Sequence, residues 1–389
     1  MLKYKYTKIA CYLGYVVQAI ACTFLPLLFV SLQKEYNIGY EKLGRLMFVC
    51  FVVQIFVDLI SIRLVKIFGY RKLAIASQVF AFTGFASLGF LPQIMPPYTG
   101  LTCAVIIYSV GSGLIEVIIS PIMEYLPTED KSGNMAFLHS FFCWGEVFVV
   151  VATTLLIKFL GSQSWGYISL MWAVIPLIVM TLFMFVPIVE PEETTKKGFR
   201  ELLRSPTFII MLLIMFLAGA SEISVGNWMS AFAEQSLNLP KMLGDLVGPC
   251  LFAVCMGIGR VIFSFIGDKI PMKRVLLAFS VFTVGAYLVL SLSKIPAVSL
   301  AAGVLVGLGV SVMWPGSLSL CSSHFPNGAT AMFAILAMFG DLGCSFGPWM
   351  VGIVADNSDL NTAFLFATLF PVIMVFLLIF IAVKAKPEY

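Results

Sequence analysis

The sequence is short of charge. Aspartate, glutamate, lysine and arginine make up only 11% of it, against roughly 25% in an average soluble domain, so a water-soluble fold would lack the polar surface to cover itself. Among the nine cysteines there is no C-x-x-C pair and no metal-ligand spacing. They read as small buried apolar residues, and neither metal nor cofactor is implied. No Walker sequence, no phosphorylation-type aspartate and no long soluble segment is present, which disfavours a nucleotide-driven pump. No nucleophile–base motif stands out, so the chain does not read as an enzyme.

What the sequence has is apolar length. Hydrophobic residues are 60% of the 389, and phenylalanine alone occurs 35 times. A hydrocarbon core about 30 Å thick takes about 20 apolar helical residues to cross. Twelve such runs are present, near 8–32, 43–65, 73–91, 99–123, 135–160, 165–187, 207–233, 243–267, 274–293, 297–321, 329–354 and 361–383. Their length, and the lack of short alternating segments, predict helices rather than barrel strands. The expected fold class is an all-α membrane protein with twelve transmembrane helices. Lys3, Lys5 and Lys8 precede the first run, but that run is longer than a signal-peptide core and is read as a span. These lysines, Arg71 with Lys72, Lys196 with Lys197, and Lys273 with Arg274 all fall on one side of the twelve-span plan. The positive-inside rule then puts both termini in the cytoplasm of a multi-pass cell-membrane protein. The net charge of +4 accordingly reports topology and not nucleic-acid binding.

The chain repeats itself. "KLGRLMF" at 42–48 recurs as "MLGDLVG" at 242–248, "KIFGYRKL" at 66–73 as "DKIPMKRV" at 268–275, and "SGNMAFLHSFFCWGEV" at 132–147 as "NGATAMFAILAMFGDL" at 327–342. The order is kept and the offsets are similar, which describes two parallel halves. Residues 1–187 form a six-helix half, 188–206 a charged cytoplasmic linker, and 207–389 a second six-helix half. Six plus six helices with a polar linker resemble the major facilitator superfamily. "GRVIFSFIGDKIPMKRV" at 259–275 is similar to the loop signature of that superfamily. The resemblance implies that Asp268, Lys269, Lys273 and Arg274 clamp neighbouring helix ends. The first-half copy keeps Gly69, Arg71 and Lys72 but has Val65 where the acid usually stands.

Seven acidic, basic or histidine side chains fall in the interior of the runs, more than three positions from either end: Asp58, Glu116, His139, Glu146, Glu222, Arg260 and Asp341. A charge at a helix centre costs about 2.5–3.5 kcal/mol on insertion scales, so each should meet water or a partner. Glu116, in "GSGLIEVIISP" at 111–121, shares a helical face with Gly113 and Ser120; a structural hydrogen bond is the alternative to a substrate contact. His139 and Glu146 lie on one face with Cys143 between them, suited to substrate or proton contact or to a helix interface. Glu222, Asn227 and Trp228 follow one another in "LAGASEISVGNW" at 217–228. A Trp beside acids and amides suits the C–H face and hydroxyls of a sugar, and so does Trp314; packing is the alternative. Gln18 in the first run is a further candidate substrate contact. Asp58 and Arg260 occupy matching places in the two halves and are read as a structural pair. Asp341 repeats the place of Glu146 and is read as structural or gating.

Particular blocks narrow the resemblance. "LIEVIISP" at 114–121, "FLHSFFCWG" at 137–145, "LAGASEISVGNW", "WPGSLSLCSS" at 314–323 and "GDLGCSFGPWMVGIVAD" at 340–356 resemble the fucose–galactose–glucose:proton symporter family and its sodium-dependent glucose transporter branch. That resemblance implies uptake of a monosaccharide with H⁺ or Na⁺ by alternating access, with Glu116 reading the substrate and Glu116 or Glu146 carrying the proton. Proton-coupled members carry an acid in the first helix, whereas "QAIACTFLPLLF" at 18–29 has none and places Pro26 there. The expected partners are a small-molecule substrate, H⁺ or Na⁺, and the lipid bilayer, with no nucleic acid and one chain acting alone. The rival functions are efflux of a drug or metabolite by the same fold, and a membrane sensor or lipid-interacting protein that moves no solute.

Overall fold

The computed structural model describes residues 4–124, 126–127, 131–189, 203–266, 271–325 and 329–384. Among them there is no strand. Twelve helices are long and apolar enough to cross a membrane: α1 Tyr4–Leu27, α2 Tyr40–Ser61, α3 Ile67–Ile94, α4 Pro97–Met123, α5 Leu138–Leu160, α6 Ser162–Phe185, α7 Pro206–Ser236, α8 Lys241–Phe263, α9 Met272–Leu292, α10 Pro296–Cys321, α11 Ile335–Asn357 and α12 Leu360–Ile381. Each matches one apolar run. Local chemistry marks several starts. α4, α7 and α10 begin on Pro97, Pro206 and Pro296, where a missing N–H costs nothing. Asp359 caps α12 by accepting from the Thr362 N–H at 2.8 Å. Large apolar side chains such as Phe159, Phe376 and Phe380 stay exposed, as lipid permits.

The chain divides into two compact units, Met1–Gly39 with Val49–Glu192, and Tyr40–Phe48 with Glu193–Tyr389. Tyr40–Phe48, the first nine residues of α2, thus belong to the second unit. There the Asp356 carboxylate accepts from the backbone N–H of Tyr40 and Glu41 at 2.6 and 2.7 Å. Trp349 donates to Glu41 at 3.0 Å.

Both units use a basic residue to close a helix end. In the first, Arg71 donates to the carbonyls of Phe183 and Met184 at 2.9 and 3.0 Å, where α6 runs out. In the second, Lys273 donates to the Ile381 carbonyl at 2.8 Å, at the end of α12. These carbonyls have no intrahelical donor, so the two loops give the same physical answer to the same need. Asp268 and Lys269 lie outside the described residues, and Arg274 is exposed. Of the described basic residues of that loop, Lys273 is the one that closes a helix end.

Within the second unit α7 and α11 run backbone to backbone. A Cβ on Gly343 would collide with the Phe216 carbonyl and lie 2.9 Å from the Ala220 nitrogen. Only a glycine allows this approach.

Four spans are interrupted by a turn among the described residues, α12 at Thr368 being one. α1 stops at Leu27 and a short helix, Phe29–Tyr36, resumes after Leu28. α7 loses its regular ladder at Asn227–Trp228, and α10 at Ser311–Val312. The apolar run 8–32 reads as unbroken; Pro26, which lacks an N–H, is the reason it is not. Of these, α1 and α7 are the pair that the sequence repeat sets in matching places, and discontinuous helices so placed are where transporters build their sites.

Candidate binding site

In the first unit α1, α4 and α5 bring polar side chains together. Gln18 is buried, and its Nε2 donates to Glu116 Oε2 at 2.6 Å. The Gln18 carbonyl oxygen has no hydrogen-bond partner within the protein. Glu116 is half-buried on α4. One turn along α4, Ser120 Oγ lies 3.5 Å from the Tyr15 hydroxyl, which also lies 3.2 Å from His139 Nδ1 on α5. The Tyr15 and His139 rings are 5.4 Å apart, and His139 is exposed. Tyr12 and Phe141 stack at 4.4 Å and 8° beside this group. The structure therefore unites Gln18, Glu116 and His139, which the sequence singles out separately. It adds Tyr15, whose place three residues before Gln18 puts it on the same helical face. Gly113 takes the opposite role to the one its spacing suggests, packing against Gln54 and Val57 of α2.

An amide locked to a carboxyl is a directional device. Gln18 spends one N–H on Glu116 and keeps an acceptor oxygen, while the second Glu116 oxygen can accept or, when protonated, donate. A pair of neighbouring hydroxyls, each both donor and acceptor, satisfies that pattern. Leaving a buried amide oxygen without a partner costs about 1–3 kcal/mol, a cost that a bound hydroxyl would remove.

Glu146 stands further along α5, with Oε1 3.4 Å from the Thr23 hydroxyl of α1. Asp58 is half-buried on α2.

The second unit is built differently. Glu222 on α7 is 6% exposed and receives Arg260 Nη2 of α8 on both oxygens, at 3.2 and 3.3 Å. Its charge is matched within the unit, in a pair that sequence reasoning missed because it set Arg260 against Asp58. Trp228 is fully buried, donates its indole N–H to the Pro348 carbonyl at 2.9 Å, and meets the Tyr40 ring edge-on at 5.5 Å. Neighbouring Asn227 is buried with its amide nitrogen unpartnered within the protein. Trp314 is half-buried, its ring lying over Gly340 of α11, and Asp341 beside that glycine is buried. Of these candidates, Asn227 and Trp314 keep polar or aromatic surface to offer, while Glu222 and Trp228 are engaged in the fold. Among the described residues no group of three His, Cys, Asp or Glu side chains could hold a metal ion.

The family model described as Major Facilitator Superfamily matches residues 11–348 and 246–389. No curated protein matches the chain. Among solved structures, a D-xylose–proton symporter aligns with a TM-score of 0.83 at 15% identity, covering 99% of this chain and 98% of that one. The fucose:proton symporter FucP of E. coli aligns at 0.67 with 16% identity, over 96% and 98%. A bacterial homolog of the human lysosomal transporter Spinster aligns at 0.77 with 12% identity, over 99% of each. At these identities the likeness is one of fold. The matched family model, the twelve spans and the interrupted helices meet in one conclusion: the chain is a membrane transporter and not an enzyme, and it belongs to the Major Facilitator Superfamily.

Proposed function

We propose that this transporter takes up a monosaccharide in symport with a cation, by alternating access, from the cell membrane with both termini cytoplasmic. The observation that carries the reading is the Gln18–Glu116 pair at 2.6 Å, extended by Ser120, Tyr15 and His139 into a row of hydrogen-bonding groups beside the Tyr12–Phe141 stack. Sugars need this combination: fixed acceptors and donors for hydroxyls, and an aromatic wall for the C–H face. Two structures of like fold are of sugar:proton symporters by their own descriptions, which supports the reading. The coupled cation is H⁺ or Na⁺, and Glu116 and Glu146 are the carboxyls positioned to answer it. Asn227 and Trp314 are the second unit's candidate contacts.

Counterflow of a radiolabelled monosaccharide into proteoliposomes tests this. Wild-type protein preloaded with unlabelled sugar should accumulate label, and Glu116→Gln should lower the rate at least tenfold and flatten its pH dependence. A Glu116→Gln protein that exchanges sugar at the wild-type rate with unchanged pH dependence would remove Glu116 from the site.

A further inference from the structure

The helix pair α9–α10 leaves an open groove of about 590 Å³ between its two members. The floor is made of small residues, Gly285 and Ala286 of α9 with Ala301 and Ala302 of α10. The rim is Phe282, Val289, Val298 and Leu305, all of them exposed. Glycine is a poor helix former, and no packing requires it here: a Cβ on Gly285 would meet nothing within 4 Å. What the missing side chain supplies is room.

The groove has the depth of one leaflet. It runs from Val289 to Phe282 on α9 and from Ala297 to Leu305 on α10, which at the helical rise is about 10–12 Å. Phe282 is the middle residue of α9, so the groove stops near the midplane of a hydrocarbon core about 30 Å thick. A helix of a second copy would need the full thickness, whereas an acyl chain needs half of it. At the mouth, residues 293–295 form a fixed turn. Ser293 Oγ accepts from the Ile295 N–H at 3.1 Å, and the Ser299 hydroxyl donates to the Ser293 carbonyl at 3.1 Å. Lys294 is the centre of that turn and is exposed, between the exposed apolar side chains of Leu292 and Ile295. Such flanks hold a turn in the membrane interface, where a lysine reaches the headgroups with its ammonium. Neither helix nor the turn contains an acid, so this end of the pair is positively charged.

We propose that α9 and α10 bind an anionic glycerophospholipid, with one acyl chain in the groove and the phosphate at Lys294. The chain length matches the apolar depth, and the charge matches the lysine at the mouth. The site lies within the second unit and is independent of the solute that the protein moves.

The test is native mass spectrometry of the full-length protein in detergent, titrated with palmitoyl-oleoyl phosphatidylglycerol or with phosphatidylcholine of the same chains. The first phosphatidylglycerol should bind about fivefold more tightly, the worth of one lysine at an anionic headgroup. Lys294→Gln should erase that preference and leave phosphatidylcholine binding unchanged. Lys158→Gln, at an exposed lysine of α5, should keep it. Gly285→Trp, whose side chain enters open space, should weaken both lipids at least tenfold, because each methylene it displaces contributes to binding. If Gly285→Trp does not fold, Lys294→Gln decides. Equal affinity of the wild type for the two lipids, or a preference that survives Lys294→Gln, overturns the site. So does a folded Gly285→Trp that binds both lipids like wild type. A dimer that lipid does not dissociate and Gly285→Trp breaks would give this face to a second copy and overturn the proposal. Solute transport is not read, so none of these outcomes bears on the sugar-uptake reading.

Discussion

Removing Arg260 should be far more damaging than removing the ion pair it belongs to. Glu222 is buried and its side chain is 8% exposed, against 18% for Arg260, with 3.2 Å between the charges. At an effective dielectric constant of about 20, two unit charges at that distance attract by about 5 kcal/mol, most of it offset by the cost of taking both out of water. Arg260→Met deletes the attraction and keeps the cost on the glutamate. Breaking a buried pair from one side costs about 3–5 kcal/mol, and the partial exposure of Arg260 argues for the lower end, about 3 kcal/mol. Glu222→Gln leaves the cation on the better-exposed partner and should cost about 1–2 kcal/mol. The double variant Arg260→Met with Glu222→Gln strands no charge and should lie within about 1 kcal/mol of wild type. Equilibrium unfolding in mixed micelles, read by tryptophan fluorescence, gives the three differences and hence the coupling energy. If the double variant is as destabilised as the sum of the singles, the pair does not act as a pair and the buried-charge reasoning is wrong.

Two further outcomes follow from the packing and the site. Gly343→Ala should lower the unfolding midpoint by the equivalent of about 2–3 kcal/mol, because its Cβ meets the Phe216 carbonyl and backbone cannot yield as a side chain can; a midpoint unchanged from wild type would show that α7 and α11 can separate freely. Tyr15→Phe keeps the ring but removes the hydroxyl between Ser120 and His139. At about 1 kcal/mol for a neutral hydrogen bond, it should weaken sugar half-saturation about fivefold with little change in maximal rate, and an unchanged half-saturation would exclude the hydroxyl from sugar binding.

The fold was legible because its signal is apolar length, which lipid enforces along every span. Glu116 was legible for the same reason: a carboxyl in hydrocarbon needs an explanation, and only side chains of comparable polarity, such as Gln18, can supply it. Tyr15 was not, since a tyrosine in an apolar helix looks like an interfacial anchor until its neighbours are known. Trp228 misled in the other direction. Its sequence company suggests a sugar platform, while three dimensions give its N–H to Pro348 and its ring to Tyr40. The choice of Glu222 for Arg260 depends on two helices meeting across 38 positions of chain, a fact no local pattern contains. Pro26 stood out in the sequence as the place of a missing acid; the break of the helix after Leu27 gives it a structural role.

The central claim is that the Gln18–Glu116 pair reads a monosaccharide. Counterflow into proteoliposomes across a panel of labelled sugars, with pH and Na⁺ gradients imposed separately and Glu116→Gln run in parallel, measures it directly. One or a few monosaccharides should exchange, an imposed cation gradient should drive their net uptake, and Glu116→Gln should lower both at least tenfold. A panel in which no monosaccharide exchanges, while cells lacking the protein accumulate hydrophobic cations, would mark an exporter and contradict the assignment.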